Sequence, residues 1–467
     1  MALLEKDALV DVSAYDVIIA GSGFAALPLA ETLSASYRVL ILEGGGHEQS
    51  AEHATLAAVD DYGHYTNGHW AAHAYRGFGG TSARWAGWVL PLAAEEFHSS
   101  TNKPGWPLLP GALNSYYSLA AEYVGIDPGA FDSSTATQES VGLRWRLSVN
   151  TSARRLAGEL AKFEKHPTLD VILNTHLIRP LSTSRRVVDG LEVSHADGQI
   201  SQLTIAENQQ VVIACGGIGN AQILLQPQPG SDTPIGNESG LVGRFLMEHP
   251  HAHCADVVVN TDLQPAAPPN VDSYLWSYWR KDEAADLSAG ACLLDFVPPR
   301  NDAVREEFKT LLPSGSENAS HYRIGARAEM APDAANHVAL QAERNWAGLY
   351  RCRAHCSLST VDFQTIEGAA RALGEWLVKT GKGIARINND EIYRNVRGGG
   401  HTMGTTRMGA DPAQSVCDDE LRVHGYQNLY VSGSSVFPRA GAANPTLTII
   451  ALAYRLADTL EKRLKEA

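Results

Sequence analysis

Two side chains stand out for what they can do to a hydroxyl group. His401 lies in Gly398-Gly399-Gly400-His401-Thr402-Met403-Gly404-Thr405-Thr406-Arg407-Met408-Gly409, a glycine-rich loop. A neutral imidazole near pH 7 is well matched to accept a hydroxyl proton. Asn444, in Ala443-Asn444-Pro445-Thr446, carries a carboxamide able to donate a hydrogen bond to an oxygen. Each also has a plainer reading. His401 can be a histidine hydrogen-bonded within its loop, and Asn444 a helix N-cap ahead of Pro445. The glycines before His401 and the Gly404–Gly409 pattern after it favour chemistry. His249, His251 and His253 alternate after Glu248. On a strand they would share one face, as metal ligands do. Pro250 between the first two counts against that, and no metal is expected.

Such groups need a scaffold, and its clearest sign is Tyr15 to Gly46. Tyr15-Asp16-Val17-Ile18-Ile19-Ala20 is a β-branched run, the mark of a buried strand. Gly21-Ser22-Gly23-Phe24-Ala25-Ala26 follows as a G-x-G-x-x-A turn, then small apolar residues from Leu27 to Ser34 at helical spacing. A second strand, Arg38-Val39-Leu40-Ile41-Leu42, ends at Glu43. Gly21 permits the tight turn, Gly23 lets backbone approach a pyrophosphate, and Ala26 lets the helix pack closely on the sheet. Glu43 is placed to take a ribose hydroxyl pair. The unit predicts a dinucleotide site.

The βα style returns downstream. Leu169 to Leu173 reads as a strand continuing the N-terminal sheet. Gln210 to Cys215 is another buried strand, leading into Gly216-Gly217-Ile218-Gly219-Asn220 and a helix through Leu225; Asn220 reads as a helix-start residue in a cofactor-facing turn. Leu429 to Gly433 is a strand ending in glycine, and a helix runs from Pro445 to about Leu460. Arg186–Val193 and Gln199–Ile205 look antiparallel. Gln49 to Tyr75 reads as irregular or partly helical surface, and Trp106-Pro107 as the start of a helix with Leu113, Tyr116, Tyr117, Ala120 and Tyr123 at helical spacing, its aromatics read as core. Between His251 and Asn389 the alternating segments Ala255–Val259, Ser273–Trp279 and His337–Ala342 predict an antiparallel sheet, with loops at Pro265–Pro269 and Pro298–Asn301. Tyr274, Trp276, Tyr278 and Trp279 read as a half-buried sheet face, with a stacking platform for a ring as the alternative.

Composition limits the partners. A net charge of −14 over 467 residues argues against nucleic acid or an anionic membrane. No apolar run is long enough to span a membrane. The start of the chain lacks the pattern of a secretory signal, so a cytoplasmic location is expected, and the even count of six cysteines, none in a C-x-x-C pair, says nothing about disulfides. At this length two or three domains, or one with an insertion, are expected.

Taken together, Gly21–Glu43, Gly79–Trp85, Cys215–Leu225, Gly240–Pro250, His401–Gly409 and Asn428–Leu447 resemble the glucose–methanol–choline family of flavin oxidoreductases, and in style its pyranose oxidase branch. The resemblance implies an α/β fold. A Rossmann-like FAD-binding domain would be assembled from residues 1–100, 165–250 and 395–467. A substrate domain of α+β type with an antiparallel sheet would comprise 101–164 and 251–394. It implies FAD as cofactor, contacted by Gly21, Ser22, Gly23, Ala26, Glu43, Gly79, Gly80, Ser82, Leu177, Gly433, Ser434, Asn444, Pro445 and Thr446. It implies His401 as the base and Asn444 as the donor orienting the substrate oxygen, with the Pro445 helix start facing the reduced flavin's anionic N1–C2 region. His249, His251 and His253 become a flavin-adjacent wall. Where that branch has a histidine covalently bound to FAD this chain has Arg84, which implies non-covalent FAD. Ala86 replaces a threonine near the flavin. The implied reaction is hydride removal from an alcohol carbon of a sugar, glycoside or other polyhydroxylated metabolite. Molecular oxygen or another electron acceptor would then take the electrons. The alternative is a family member tailoring a non-sugar natural product or acting as a lyase.

Overall fold

The computed structural model describes residues 3–4, 11–99, 103–131, 143–151, 156–163, 165–184, 186–231, 233–260, 263, 274–280, 290–297, 306 and 319–466. Two sheets carry the architecture. The first is six-stranded and parallel, in the spatial order Leu3–Leu4, Leu169–Ile172, Val39–Leu42, Val17–Ala20, Gln210–Ile213, Leu429–Val431. The strands Val17–Ala20 and Val39–Leu42 are buried on both faces, which explains why they read as unbroken apolar runs rather than alternations. Helices Leu27–Leu33 and Thr446–Glu466 pack against each other beside this sheet. Chain segments separated by hundreds of residues therefore meet edge to edge.

The second sheet runs Gly383–Ile387, Pro250–Val259, Ser320–Ala328, Cys292–Val297, Tyr274–Arg280, Leu143–Asn150, Trp88–Val89, with Arg397–Gly398 pairing Pro250–His251. It is antiparallel throughout. A small antiparallel sheet of His176–Leu181, Gly190–Ser194 and Ile200–Thr204 lies beyond the parallel one. Among the described residues no helix is long and apolar enough to cross a membrane, and all six cysteines are free.

Several expectations need correction. The strand expected at His337–Ala342 runs His337–Arg344 and lies outside the large antiparallel sheet. It pairs with Tyr350–Cys356, which in turn pairs in parallel with Val59–Gly63. Val59-Asp60-Asp61-Tyr62-Gly63 has no apolar alternation and is a strand only because a distant partner takes its backbone groups, so the stretch 49–75 is not merely irregular surface. The helix expected from Trp106 starts at Asn114, since Pro107 and Pro110 interrupt the backbone donors before it. Its inward residues Tyr117, Ala120 and Tyr123 are buried, as is Leu113 just before it, whereas Tyr116 is only half-buried and donates its hydroxyl to Asp458 at 2.7 Å. The loops Pro265–Pro269 and Pro298–Asn301, and the side chains of Tyr274, Trp276, Tyr278 and Trp279, lie outside the described residues.

Helix Thr360–Lys379 went unread, although its start carries a clear signal. Ser359 donates its N–H (2.7 Å) and hydroxyl (2.8 Å) to Asp362, three residues on. The other Asp362 oxygen accepts from the Ala331 N–H at 2.7 Å, tying the helix start to the end of Ser320–Ala328. Asp362→Ala should lower stability by about 2 kcal/mol, seen as a lower urea midpoint with an unchanged slope.

Candidate active site

A single cavity of about 1320 Å³ runs between the two main sheets. One end is walled by the Gly21–Ala25 turn, Glu43, Gly44, Arg76 and Leu177. The other is walled by His401, Asn444, His251, Asp295, Arg323 and Arg327. Gly80, Ser82, Arg84, Trp85, Ala86, Gly433, Ser434, Pro445 and Thr446 also line the cavity.

The turn at the first end is fixed by backbone. Gly21 has φ +99°, and a Cβ there would lie 2.5 Å from the Ala214 carbonyl oxygen, so no other residue fits. Ser22, fully buried, donates its hydroxyl to Glu43 and accepts the Gly79 N–H at 2.9 Å. Glu43 also accepts the Gly45 N–H at 2.8 Å. Burial pushes its carboxyl up, opposed by those donors and nearby Arg76. Two donors leave acceptor capacity on the Glu43 oxygens for a diol. Ala26 and Gly79 do not line the cavity. Ala26 is buried in the close packing behind the turn, and Gly79 acts through Ser22. Asn220 is a buried strut: its amide oxygen accepts the Cys215 N–H at 2.7 Å, and its amide nitrogen donates to Ser432 O and Ser435 Oγ at 3.0 and 2.8 Å.

A dinucleotide cofactor fits this cradle on three observations. A cavity of this volume holds a cofactor together with a small molecule. Glu43 keeps open acceptor sites. The Arg76 Nε is buried on this wall with no protein partner among the described residues, which suits an anionic ligand.

At the other end one carboxylate organises the histidines. Glu248 is fully buried. Its Oε1 accepts the backbone N–H of His249 (2.8 Å) and of His401 (2.7 Å); its Oε2 accepts Gly400 N–H (2.9 Å) and bonds His69 Nε2 (2.8 Å). Burial alone would raise this carboxyl, but His69, His401 and the backbone donors of His249 and His401 bring it down to about 2. The rings of His249 and His401 meet Nδ1 to Nδ1 at 2.8 Å. Burial holds His401 well below the usual histidine range, lowers His249, and brings His251 down to about 4 with help from Arg327. All three are thus neutral at pH 7. His253 points elsewhere in its bonding, to Asp256 and Arg323. No group of described residues could hold a metal ion.

Asn444 is oriented by Arg327, which donates Nη1–H to the Asn444 amide oxygen. Arg327 is itself locked to Asp295 through Nε (2.9 Å) and Nη2 (3.0 Å). Because guanidinium only donates, the amide oxygen is taken and the Asn444 nitrogen is the end left to bond a ligand. Arg327, Asp295 and the anchoring role of Glu248 were not visible to sequence reasoning. The only available signal was the placement of Arg327 in an alternating run, which marks a face and not a partner.

The C-terminal model of the GMC oxidoreductase family matches residues 332–453. A 2-methyl-1,2-propanediol dehydrogenase of Mycolicibacterium austroafricanum is 28% identical over 286 residues, 55% of this chain and 48% of that protein. A C-glycoside 3-oxidase of Microbacterium trichothecenolyticum is 41% identical over 110 residues, 23% of this chain and 21% of its own length. The chain thus spans about half or less of these two relatives' lengths. Among solved structures, a formate oxidase variant of Aspergillus oryzae RIB40, studied for its FAD modification, is 16% identical with a TM-score of 0.63, covering 97% of this chain and 99% of that one. That likeness shows the fold: a Rossmann-like parallel sheet joined to an antiparallel one.

The depressed Glu248 carboxyl contributes stability that is fully present above the ordinary carboxyl value and lost as pH falls toward about 2. Relative to wild type, Glu248→Gln should therefore be most destabilised near neutral pH and least at acid pH, read from thermal midpoints across that range. Arg327→Met, which strands the Asp295 carboxylate, should lower stability by about 3 kcal/mol, read by urea unfolding.

Proposed function

We propose that the chain is an FAD-dependent oxidoreductase that removes a hydride from an alcohol carbon of a sugar, glycoside or similar polyhydroxylated molecule. The observation that carries this reading is one cavity lined at one end by the Gly21–Glu43 turn and at the other by His401 and Asn444. FAD, when bound, supplies the hydride acceptor. Gly21, Ser22, Gly23, Glu43, Gly80, Ser82 and Leu177, with Gly433, Ser434, Pro445 and Thr446, would hold it. Ala26 and Gly79 would support that wall from behind. In this division, residues 1–100, 165–250 and 395–467 form the cofactor domain, and 101–164 with 251–394 the substrate domain. Arg84 has no nucleophilic ring nitrogen to offer, so the attachment is non-covalent.

His401 takes the hydroxyl proton. It is neutral at pH 7 because burial opposes its charging, so it stands ready as an acceptor. The Asn444 amide nitrogen donates to the substrate oxygen and turns the carbon to be oxidised inward, while Arg327 keeps the amide from rotating. The sugar or glycoside class rests on the resemblance to pyranose oxidases and on the C-glycoside 3-oxidase relative. The diol named for the other relative fits the same hydroxyl chemistry. Oxygen or another electron acceptor would take the electrons that bound FAD would carry.

Anaerobic mixing with a panel of sugars, glycosides and diols should bleach the yellow absorbance; no bleaching across the panel would contradict the reading. His401→Ala should keep its FAD and lose turnover on the order of 10²- to 10⁴-fold. Because the base works unprotonated, kcat/KM should stay level through neutral pH. It should fall only at pH values well below the ordinary histidine range.

A further inference from the structure

An imidazole acts as a base only at the nitrogen that lacks a proton, so the identity of that nitrogen on His401 decides whether the proposed chemistry is possible. We propose that His249 sets the tautomer of His401, holding the proton on Nδ1 and leaving the lone pair on Nε2; this rests on the reading of His401 as the base.

The assignment starts from atoms that have only one role. The Ala440 carbonyl lies 3.4 Å from His249 Nε2. A carbonyl oxygen only accepts, so His249 Nε2 carries a hydrogen. A neutral His249 then has its lone pair on Nδ1. That atom faces His401 Nδ1 at 2.8 Å. Two lone pairs cannot share that distance, so His401 must donate, and its proton sits on Nδ1. Nε2 is left as the acceptor. Nε2 has no protein partner among the described residues, and His401 lines the cavity.

The geometry is held from behind. One Glu248 oxygen accepts the backbone N–H of both His249 and His401, which fixes the spacing of the two rings. The loop that supplies the Ala440 carbonyl is pinned by two buried carboxylates. Glu329 binds Arg439 at 2.7 Å through Nε and through Nη2, and Glu96 accepts the Ala442 N–H at 2.7 Å. The charged and titratable groups facing the pair are Glu248, His251 and Arg327. None of them is placed to bond His401 Nδ1 in His249's stead. His249 is thus a positioning residue: it touches neither substrate nor cofactor in this account and acts through His401.

The test is the ¹⁵N–¹H spectrum of the histidine-labelled holoenzyme, with His401 identified by its loss in His401→Ala. The expected wild-type signal has the proton on Nδ1. In His249→Leu the Nε2–H form should appear and kcat should fall on the order of 100-fold, with FAD content and KM within about twofold. His249→Asn, whose carboxamide oxygen can accept from Nδ1–H, should recover most of that loss. A wild-type proton on Nε2, or a His249→Leu enzyme with unchanged tautomer and kcat, would overturn the proposal. Undiminished turnover in His401→Ala beside an Nδ1–H signal in wild type would instead overturn the base role and leave the tautomer assignment standing.

Discussion

The catalytic end of the molecule depends on a carboxylate taken entirely out of water. Glu248 would be costly there as an ion without donors, since burying an unpaired charge is among the largest penalties a fold can carry. It has four, and three are backbone N–H groups from the two segments that bear His249 and His401. The requirement to satisfy Glu248 therefore dictates where the Gly400–His401 backbone lies. The glycines before His401 follow from the same demand. A side chain at Gly399 would run into the His401 and His251 rings, and one at Gly400 into His73.

A second buried charge system does similar work on the other side. Asp295 and Arg327 come from neighbouring strands of the antiparallel sheet, and their pairing directs one guanidinium nitrogen at Asn444. The carboxamide and the imidazole thus reach one cavity from different supports. Asn444 precedes the last helix and is steered by the antiparallel sheet. His401 is steered by a glutamate at the entrance to that sheet's strand Pro250–Val259.

How much of this was legible depends on how far apart the determinants lie in the chain. The Gly21–Glu43 unit was readable because strand, turn, helix and acid fall within one short stretch, and each residue type has a local reason. The parallel strands at Leu169 and Gln210 were readable as apolar runs, and the family resemblance joined them to Leu429. The strand Val59–Gly63 was not, because its strand character belongs to its partner Tyr350–Cys356. Helix Thr360–Lys379 was missed although it carries both a Ser359–Asp362 cap and an unbroken apolar stripe at Ile366, Ala369, Ala370, Leu373, Trp376 and Leu377. Within the site, His401 and Asn444 were found by motif. Glu248, Arg327 and Asp295 were not assigned roles, because an ion pair between strands about thirty residues apart leaves no spacing to read.

The order of the parallel sheet bears on how the chain matures during synthesis. Its strand Leu429–Val431 closes one side, next to Gln210–Ile213. Leu429 follows Ile213 by 216 residues (429 − 213), and all of these are made before that edge can be covered. Until then Gln210–Ile213, buried in the finished protein, offers an open backbone edge to any neighbouring strand. The edge thus stays open until after the last strand of the antiparallel sheet has emerged.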